Sequence, residues 1–76
     1  MEILAYIEQL KYLDWTIKQQ ASGTPKQLAK KMGVSLATVY RRIYELKKLG
    51  APIKYSKRRQ HYFYTNNSFH LNFNFF

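Results

Sequence analysis

Apolar residues recur every three or four positions through the first twenty residues of the chain, without an intervening Gly or Pro. Drawn at roughly 100° per residue, six of them fall within an arc of about 120°, which predicts an amphipathic first helix over about 2–20. These six residues are expected to pack on the core: Ile3, Tyr6, Ile7, Leu10, Leu13 and Ile17. Leu4, Tyr12 and Trp15 form a second, smaller stripe, which is interpreted either as packing over the edge of the domain or as a subunit contact.

Helix-capping residues mark the start of a second helix. Thr24 fits the N-cap, Pro25 the first helical position and Gln27 the third position of a capping box. Gly33 is expected to end this helix, because a tight turn requires the positive φ that glycine adopts most readily. The pattern predicts a second helix over about 25–32.

A third helix is predicted over about 35–49, with Ser35 as its cap and Gly50 at its end. Its apolar residues recur at spacings of four and three positions and should face the core: Val39, Ile43, Leu46 and Leu49. The second and third helices are joined by a turn of about three residues, which is the arrangement of a helix-turn-helix.

Strand-forming residues follow the helices. Pro52 blocks further helix, and β-favouring residues on either side of a basic segment predict a hairpin, or wing, over about 53–65. Alternating Phe and Leu residues beyond it predict a C-terminal strand over about 69–75, which is expected either to extend the hairpin sheet or to pair with another subunit. The predicted fold class is α+β, with three helices, a β-hairpin wing and a C-terminal strand in a single domain over residues 1–76.

Positive charge is concentrated in the middle of the chain. The formal net charge is +9 at pH 7, and residues 24–60 alone carry +10, because eleven Lys and Arg residues there are opposed only by Glu45. Such a field attracts polyanions, of which nucleic acid is the commonest, so the chain is predicted to bind DNA. It contains no Cys and no apolar run of the roughly 18 residues that a membrane span needs, which predicts a soluble, cytoplasmic protein without membrane contact.

Catalytic chemistry finds little support in these residues. His61 and His70 lie in strand-like segments without a neighbouring set of Cys or carboxylate ligands. The sequence shows neither a Gly-rich phosphate loop nor a nucleophile elbow. We therefore expect no enzymatic activity, and no catalytic residue, metal, cofactor or small-molecule substrate.

Three stretches carry a family resemblance. They are TPKQLAKKMGVS at residues 24–35, TVYRRI at residues 38–43 and ELKKLGAPI at residues 45–53. In this order and spacing, the chain resembles the winged helix-turn-helix module of DeoR-like and biotin-repressor-like bacterial transcription regulators over about residues 3–64. The resemblance implies that the third helix reads the major groove of double-stranded DNA and that the wing touches the backbone or the minor groove.

The predicted DNA contacts lie on the second and third helices and the wing: Thr24, Lys26, Ser35, Leu36, Ala37, Thr38, Tyr40, Arg41, Arg42, Glu45, Lys57, Arg58 and Arg59. Leu36 and Ala37 depart from the family pattern, in which basic or polar residues are common at these two positions. Arg41 is favoured over Arg42 as the side chain that binds a guanine edge. Leu36 and Ala37 permit apolar contact with thymine methyl groups but no polar base readout. The last three residues form the basic tip of the wing.

A homodimer is expected, because one helix-turn-helix reads only a few base pairs. The subunits are predicted to meet through the first helix, the C-terminal strand or both. One alternative function, from another class, is a protein–protein interaction or assembly module whose basic face meets an acidic partner. Another is the binding of single-stranded nucleic acid by stacking on Tyr55, Tyr62 and Tyr64 of the hairpin.

Overall fold

The structure is a computed structural model that describes residues 3–71. It contains three helices followed by two strands: α1 (Ile3–Lys18), α2 (Pro25–Met32), α3 (Leu36–Lys48), β1 (Ile53–Ser56) and β2 (His61–Tyr64). The two strands form an antiparallel hairpin in which Ile53 pairs with Tyr64 and Ser56 with His61. The predicted α+β winged helix-turn-helix architecture is confirmed.

The C-terminal strand is the exception. Residues 69–71 have no regular secondary structure, so the predicted strand is wrong at its start, and residues 72–75 lie outside the described part of the chain. Phe69 and Leu71 are partly buried against the core, and the Phe69 ring lies 5.6 Å from the ring of Tyr64. These two apolar side chains are thus covered by packing and not by strand pairing.

The helix-turn-helix has the local contacts that its sequence predicts. Gln27 N–H donates to Thr24 Oγ1 at 3.2 Å, and Thr24 N–H donates to Gln27 Oε1 at 2.9 Å, which completes the capping box of α2. Gly33 ends α2 with a φ of 68°, in the left-handed region where a side chain would be strained. Ser35 then caps α3 by accepting from Thr38 N–H at 3.1 Å.

The core lies where the three helices meet the hairpin. Ile53 and Tyr62 close it from the hairpin side. Its most deeply buried apolar side chains come from all three helices: Leu10, Leu13, Ile17, Leu28, Val39 and Leu46. The expectation that Ile3 and Leu49 are core residues is wrong, because these residues lie at the start of α1 and just after the end of α3 and are 68% and 55% exposed.

Two polar contacts fix the hairpin against the helices. Ser22, in the loop after α1, is fully buried, and its Oγ accepts from Tyr62 N–H at 2.8 Å. The Tyr64 hydroxyl donates to Asp14 Oδ1 of α1 at 2.6 Å. The position of the hairpin relative to the helices therefore depends on contacts between residues that are 40 and 50 positions apart in the sequence. Between residues 3 and 71, every helix is too short or too polar to cross a membrane.

Candidate nucleic-acid interface

The side of α3 that faces away from the core is aromatic and basic. At 3.6 residues per turn, Ala37, Arg41, Tyr44 and Lys48 fall within an arc of about 60°, with Tyr40 beside them. Tyr40 is 51% exposed and Tyr44 is 59% exposed, and Ala37, Arg41 and Lys48 are exposed as well. The Lys48 ammonium lies 5.5 Å from the centre of the Tyr44 ring, a cation–π contact. We call these five residues the outward face of α3.

Tyr44 was not among the predicted contacts, although the sequence contains a signal for it. It follows Arg41 by three positions and Tyr40 by four, so any helix that exposes those two residues exposes Tyr44 too. The prediction missed Tyr44 because it assigned Arg42 and Glu45, which contact each other on the side toward α1, to the DNA-facing side of the helix.

Arg42, the neighbour of Arg41, points about 100° away from it around the helix, toward α1. Its side chain is 2% exposed, its Nε donates to Gln9 Oε1 at 2.8 Å, and a terminal nitrogen donates to Glu45 Oε1 at 3.0 Å. Its guanidinium also lies 4.8 Å from the centre of the Tyr6 ring. The prediction that Arg42 contacts DNA is therefore wrong, because one residue of helical rotation turns this side chain toward α1, where Gln9, Glu45 and Tyr6 surround it.

Glu45 belongs to the same contact, which engages its carboxylate. It lies three positions after Arg42, its side chain is 29% exposed, and its carboxylate accepts from the Arg42 guanidinium. Burial, followed by the negative charge of Glu45, raises the pKa of Tyr6. The side of α3 toward α1 is thus a closed polar cluster of Tyr6, Gln9, Arg42 and Glu45.

This cluster changes how the positive charge is distributed. Arg42 and the only acidic residue of residues 24–60 offset each other, so the net charge of that segment resides on exposed side chains. Ten basic residues there are exposed: Lys26, Lys30, Lys31, Arg41, Lys47, Lys48, Lys54, Lys57, Arg58 and Arg59. A surface of this kind attracts polyanions and repels other cations.

Some of the DNA contacts predicted at the start of α2 and α3 also serve as helix caps. The Ser35 hydroxyl donates to Thr38 Oγ1 at 2.9 Å, so its single hydrogen is used within the helix, whereas the Thr38 hydroxyl keeps its own hydrogen for another acceptor. Thr24 is half-buried and also serves as a cap. Lys26, two positions after Thr24, is exposed, and Leu36 is half-buried at the start of α3.

The tip of the hairpin presents the three predicted basic residues. Lys57, Arg58 and Arg59 are exposed in the loop between β1 and β2. The backbone of this loop is held by hydrogen bonds from Gln60 N–H to Ser56 O at 2.7 Å and from Arg59 N–H to Ser56 Oγ at 3.1 Å. The loop backbone is therefore ordered by its own contacts while its cationic side chains face outward.

The hairpin tyrosines mainly contact other residues of the protein. Tyr62 is 6% exposed and meets Tyr55 edge to face, with ring centres 4.9 Å apart. Burial raises the pKa of Tyr62 to about 12, with smaller contributions from Tyr40 and Tyr55. Since Tyr62 is buried and Tyr64 is held by Asp14 and Phe69, the alternative in which all three hairpin tyrosines stack on bases is wrong.

A comparison with protein families supports the same class of protein. The model of the HTH domain family matches residues 8–63, which is most of the chain. The chain therefore belongs to the HTH domain family, a family of DNA-binding helix-turn-helix domains. No curated protein and no solved structure matches the chain. The finer resemblance to DeoR-like and biotin-repressor-like regulators stays a prediction.

Proposed function

We propose that the chain is a sequence-preferring double-stranded DNA-binding protein that regulates transcription, acts in the cytoplasm and has no catalytic activity. Helix α3 lies in the major groove, and the basic loop of the hairpin lies on the flanking backbone or in the minor groove. One observation carries the proposal: α3 pairs its only acidic side chain, Glu45, with the buried Arg42 and keeps aromatic and basic side chains on its outward face. Membership of the HTH domain family supports it.

Phosphate contacts supply most of the affinity in this proposal. Basic side chains position a protein on the duplex and carry no sequence information, whereas base edges in the groove specify the site. Lys26, near the start of α2, and Lys57, Arg58 and Arg59, in the hairpin loop, are exposed on two separate elements that flank α3 in the chain. We assign them to the backbone on either side of the groove.

Arg41 is the side chain assigned to base readout. It is exposed at the middle of the outward face of α3 and has the fork of donors that matches O6 and N7 of guanine. Arg42 has the same chemistry but is committed to Gln9 and Glu45. Only the first of the two adjacent arginines is therefore available to a base.

The protein is proposed to act as a homodimer. Leu4 and Trp15 are 56% and 57% exposed on α1, on a side that the core does not cover, and the Trp15 ring lies 6.3 Å from that of Tyr12. An apolar stripe of this kind favours a second copy of the chain, and two helix-turn-helix units would read half-sites about one helical turn apart. Of the C-terminal residues predicted to share this contact, 72–75 lie outside the described part of the chain, and Phe69 and Leu71 pack against the core of the same subunit.

Titration of two labelled duplexes at low salt, one selected from a random pool by the wild type and one of random sequence, followed by fluorescence anisotropy, tests the proposal. We expect binding by the wild type, a loss of sequence preference in Arg41→Ala and a weaker but sequence-independent loss in Arg58→Ala. Lys18→Ala is the matched control, because it removes one exposed positive charge of α1 that lies outside residues 24–60. Unchanged affinity in both arginine variants, or no binding by the wild type, would refute the proposal.

The exposed stripe on α1 also favours the second candidate, a protein-assembly module. In that case the wild type forms a dimer but does not shift duplex DNA at low salt. Sedimentation of the wild type and of Trp15→Ala, measured beside the duplex titration, separates this function from DNA binding.

A further inference from the structure

The two sides of α3 together restrict which base groups this helix reads. In the major groove, Arg and Lys bind O6 and N7 of guanine, Asn and Gln bind N6 and N7 of adenine, Asp and Glu accept from N4 of cytosine, and apolar groups contact the thymine methyl. The exposed side chains of a recognition helix therefore determine which bases it can distinguish. This inference rests on the proposed major-groove position of α3.

The outward face of α3 supplies two of these four chemistries. Arg41 and Lys48 carry the donors that guanine accepts, and the methyl group of Ala37 lies one turn before Arg41. The exposed rings of Tyr40 and Tyr44 add apolar edges beside them. The sequence of α3 contains neither Asn nor Gln, so the bidentate contact to adenine has no side chain to make it.

The sequence of α3 contains a carboxylate that could accept from N4 of cytosine, but in the folded protein this carboxylate is engaged in another contact. Glu45 is the one carboxylate of α3, and its Oε1 lies 3.0 Å from a guanidinium nitrogen of Arg42. Arg42 is 2% exposed and is also bound by Gln9 of α1, so Glu45 is paired with a buried cation on the side toward α1. Gln9, the nearest amide, is committed to the same contact.

Hydroxyl groups do not restore the missing readout. Ser35 uses its hydrogen for Thr38 and accepts from the Thr38 backbone N–H, which leaves it a single lone pair. The Thr38 hydroxyl retains one hydrogen, and the exposed Tyr40 and Tyr44 each carry a hydroxyl that can donate and accept. A single hydroxyl binds several base edges without distinguishing them strongly.

We propose that direct readout by α3 is confined to the N7 and O6 groups of guanine, bound by Arg41, and to thymine methyl groups, contacted by Ala37 with the rings of Tyr40 and Tyr44. Groups specific to adenine and cytosine on the same base pairs are not read. Any preference at other positions of the site comes from the shape and flexibility of the duplex.

Base analogues test this proposal group by group. A preferred duplex is first selected from a random pool with the wild-type protein. Each guanine is then replaced by 7-deazaguanine, which lacks N7, and each thymine by uracil, which lacks the methyl group. Replacement of adenine by 7-deazaadenine is the matched control, because it removes the same ring nitrogen from the base that α3 is proposed not to read.

We expect 7-deazaguanine at one or two positions to lower affinity about 5- to 150-fold, the range of a bidentate base contact. Uracil should lower it a few-fold, and 7-deazaadenine should leave it unchanged. The 7-deazaguanine effect should disappear in Arg41→Ala. Glu45→Gln, which keeps a side-chain oxygen for Arg42, should give the wild-type profile.

Three results would overturn the proposal: a loss with 7-deazaadenine as large as with 7-deazaguanine, a 7-deazaguanine loss that persists in Arg41→Ala, or a profile altered by Glu45→Gln. In each of these cases duplex binding itself remains, so the proposed function stands. Absence of binding to any duplex at low salt would instead remove the proposed function.

Discussion

Arg41 and Arg42 are adjacent and have the same side chain, but their environments differ. Arg41 is exposed on the outward face of α3, whereas Arg42 is 2% exposed and bound by Gln9 and Glu45 against α1. Because successive helical residues point about 100° apart, one position separates a side chain that is available to a ligand from one that orders the fold. A basic run in a sequence therefore gives the charge of a segment but not the number of its available cations.

The two sides of α3 also differ in how their charge contributes to stability. A buried ion pair adds little net stability, because desolvation offsets the attraction, but removal of one partner is costly. On the outward side, exposed cations repel one another and are stabilised when a polyanion approaches. The inward side should therefore determine stability and the outward side affinity, and the predictions below test that division.

Salt should produce the largest effect, and only on the outward side. If about six to ten phosphates are neutralised, affinity for duplex DNA should fall about 10³- to 10⁵-fold between 50 and 200 mM salt. The midpoint of urea unfolding should change far less over the same range and in the opposite direction, because the partly buried pair is screened little and salt relieves repulsion between the exposed cations. Anisotropy and circular dichroism measure the two quantities, and a salt-independent affinity would contradict the assignment of the exposed cations to phosphates.

Replacement of Arg42 should have the next largest effect, on stability. Arg42→Ala removes the cation of a buried pair and its packing against Tyr6, which should lower the free energy of unfolding by about 3 kcal/mol. The matched variant Arg41→Ala should change it by less than about 0.5 kcal/mol, as for an exposed position. Urea denaturation of both variants measures this difference, and equal losses would contradict the division of α3 into two sides.

Local signals in the sequence were sufficient for the helix-turn-helix. Thr24, Pro25 and Gln27 lie next to one another and form the capping box that their spacing predicts, and Gly33 adopts the positive φ that the turn requires. The bounds of α2 follow from these residues alone, because caps and turns depend on neighbours within a few positions.

The burial of Arg42 could not be read from local signals. Its partner Gln9 is 33 positions earlier, so the contact exists only once α1 and α3 have packed together. The hydrogen bond between Ser22 and Tyr62 joins residues 40 positions apart and could not be predicted for the same reason. Both arginines are assigned to DNA in the sequence-based prediction, because charged side chains are rarely buried and nothing near Arg42 in the sequence indicates that Gln9 would pair with it.

A third prediction concerns another inward polar contact, between Tyr64 of β2 and Asp14 of α1. Tyr64→Phe should lower the free energy of unfolding at pH 7 by about 1–2 kcal/mol, since the lost hydrogen bond has a charged acceptor but is only partly buried. Affinity for DNA at that pH should not change, because neither residue is on the outward face. A loss of affinity without a loss of stability would contradict an inward, structural role.

The same contact predicts that the free energy of unfolding depends on pH in the alkaline range. Burial, followed by the hydrogen bond to Asp14 and its charge, raises the pKa of Tyr64, and burial raises that of Tyr62 to about 12. An unfolded tyrosine loses its proton near pH 10, before the folded one does, so stability is retained below about pH 10 and declines as pH rises above it. Urea unfolding from pH 8 to 11 should show a shallower decline in Tyr64→Phe than in the wild type, and parallel curves would contradict this assignment.

The smallest effect expected is that of a single wing residue. Arg58 is exposed in the hairpin loop, and a phosphate contact there adds affinity without selecting a sequence. Arg58→Ala should weaken binding to selected and random duplexes alike by a few-fold and should reduce the slope of log affinity against log salt by about one. Arg41→Ala should instead weaken the selected duplex more than the random one, because its contact is to a base. If Arg58→Ala discriminates between the two duplexes as strongly as Arg41→Ala does, the hairpin loop reads bases too, and specificity is not confined to the outward face of α3.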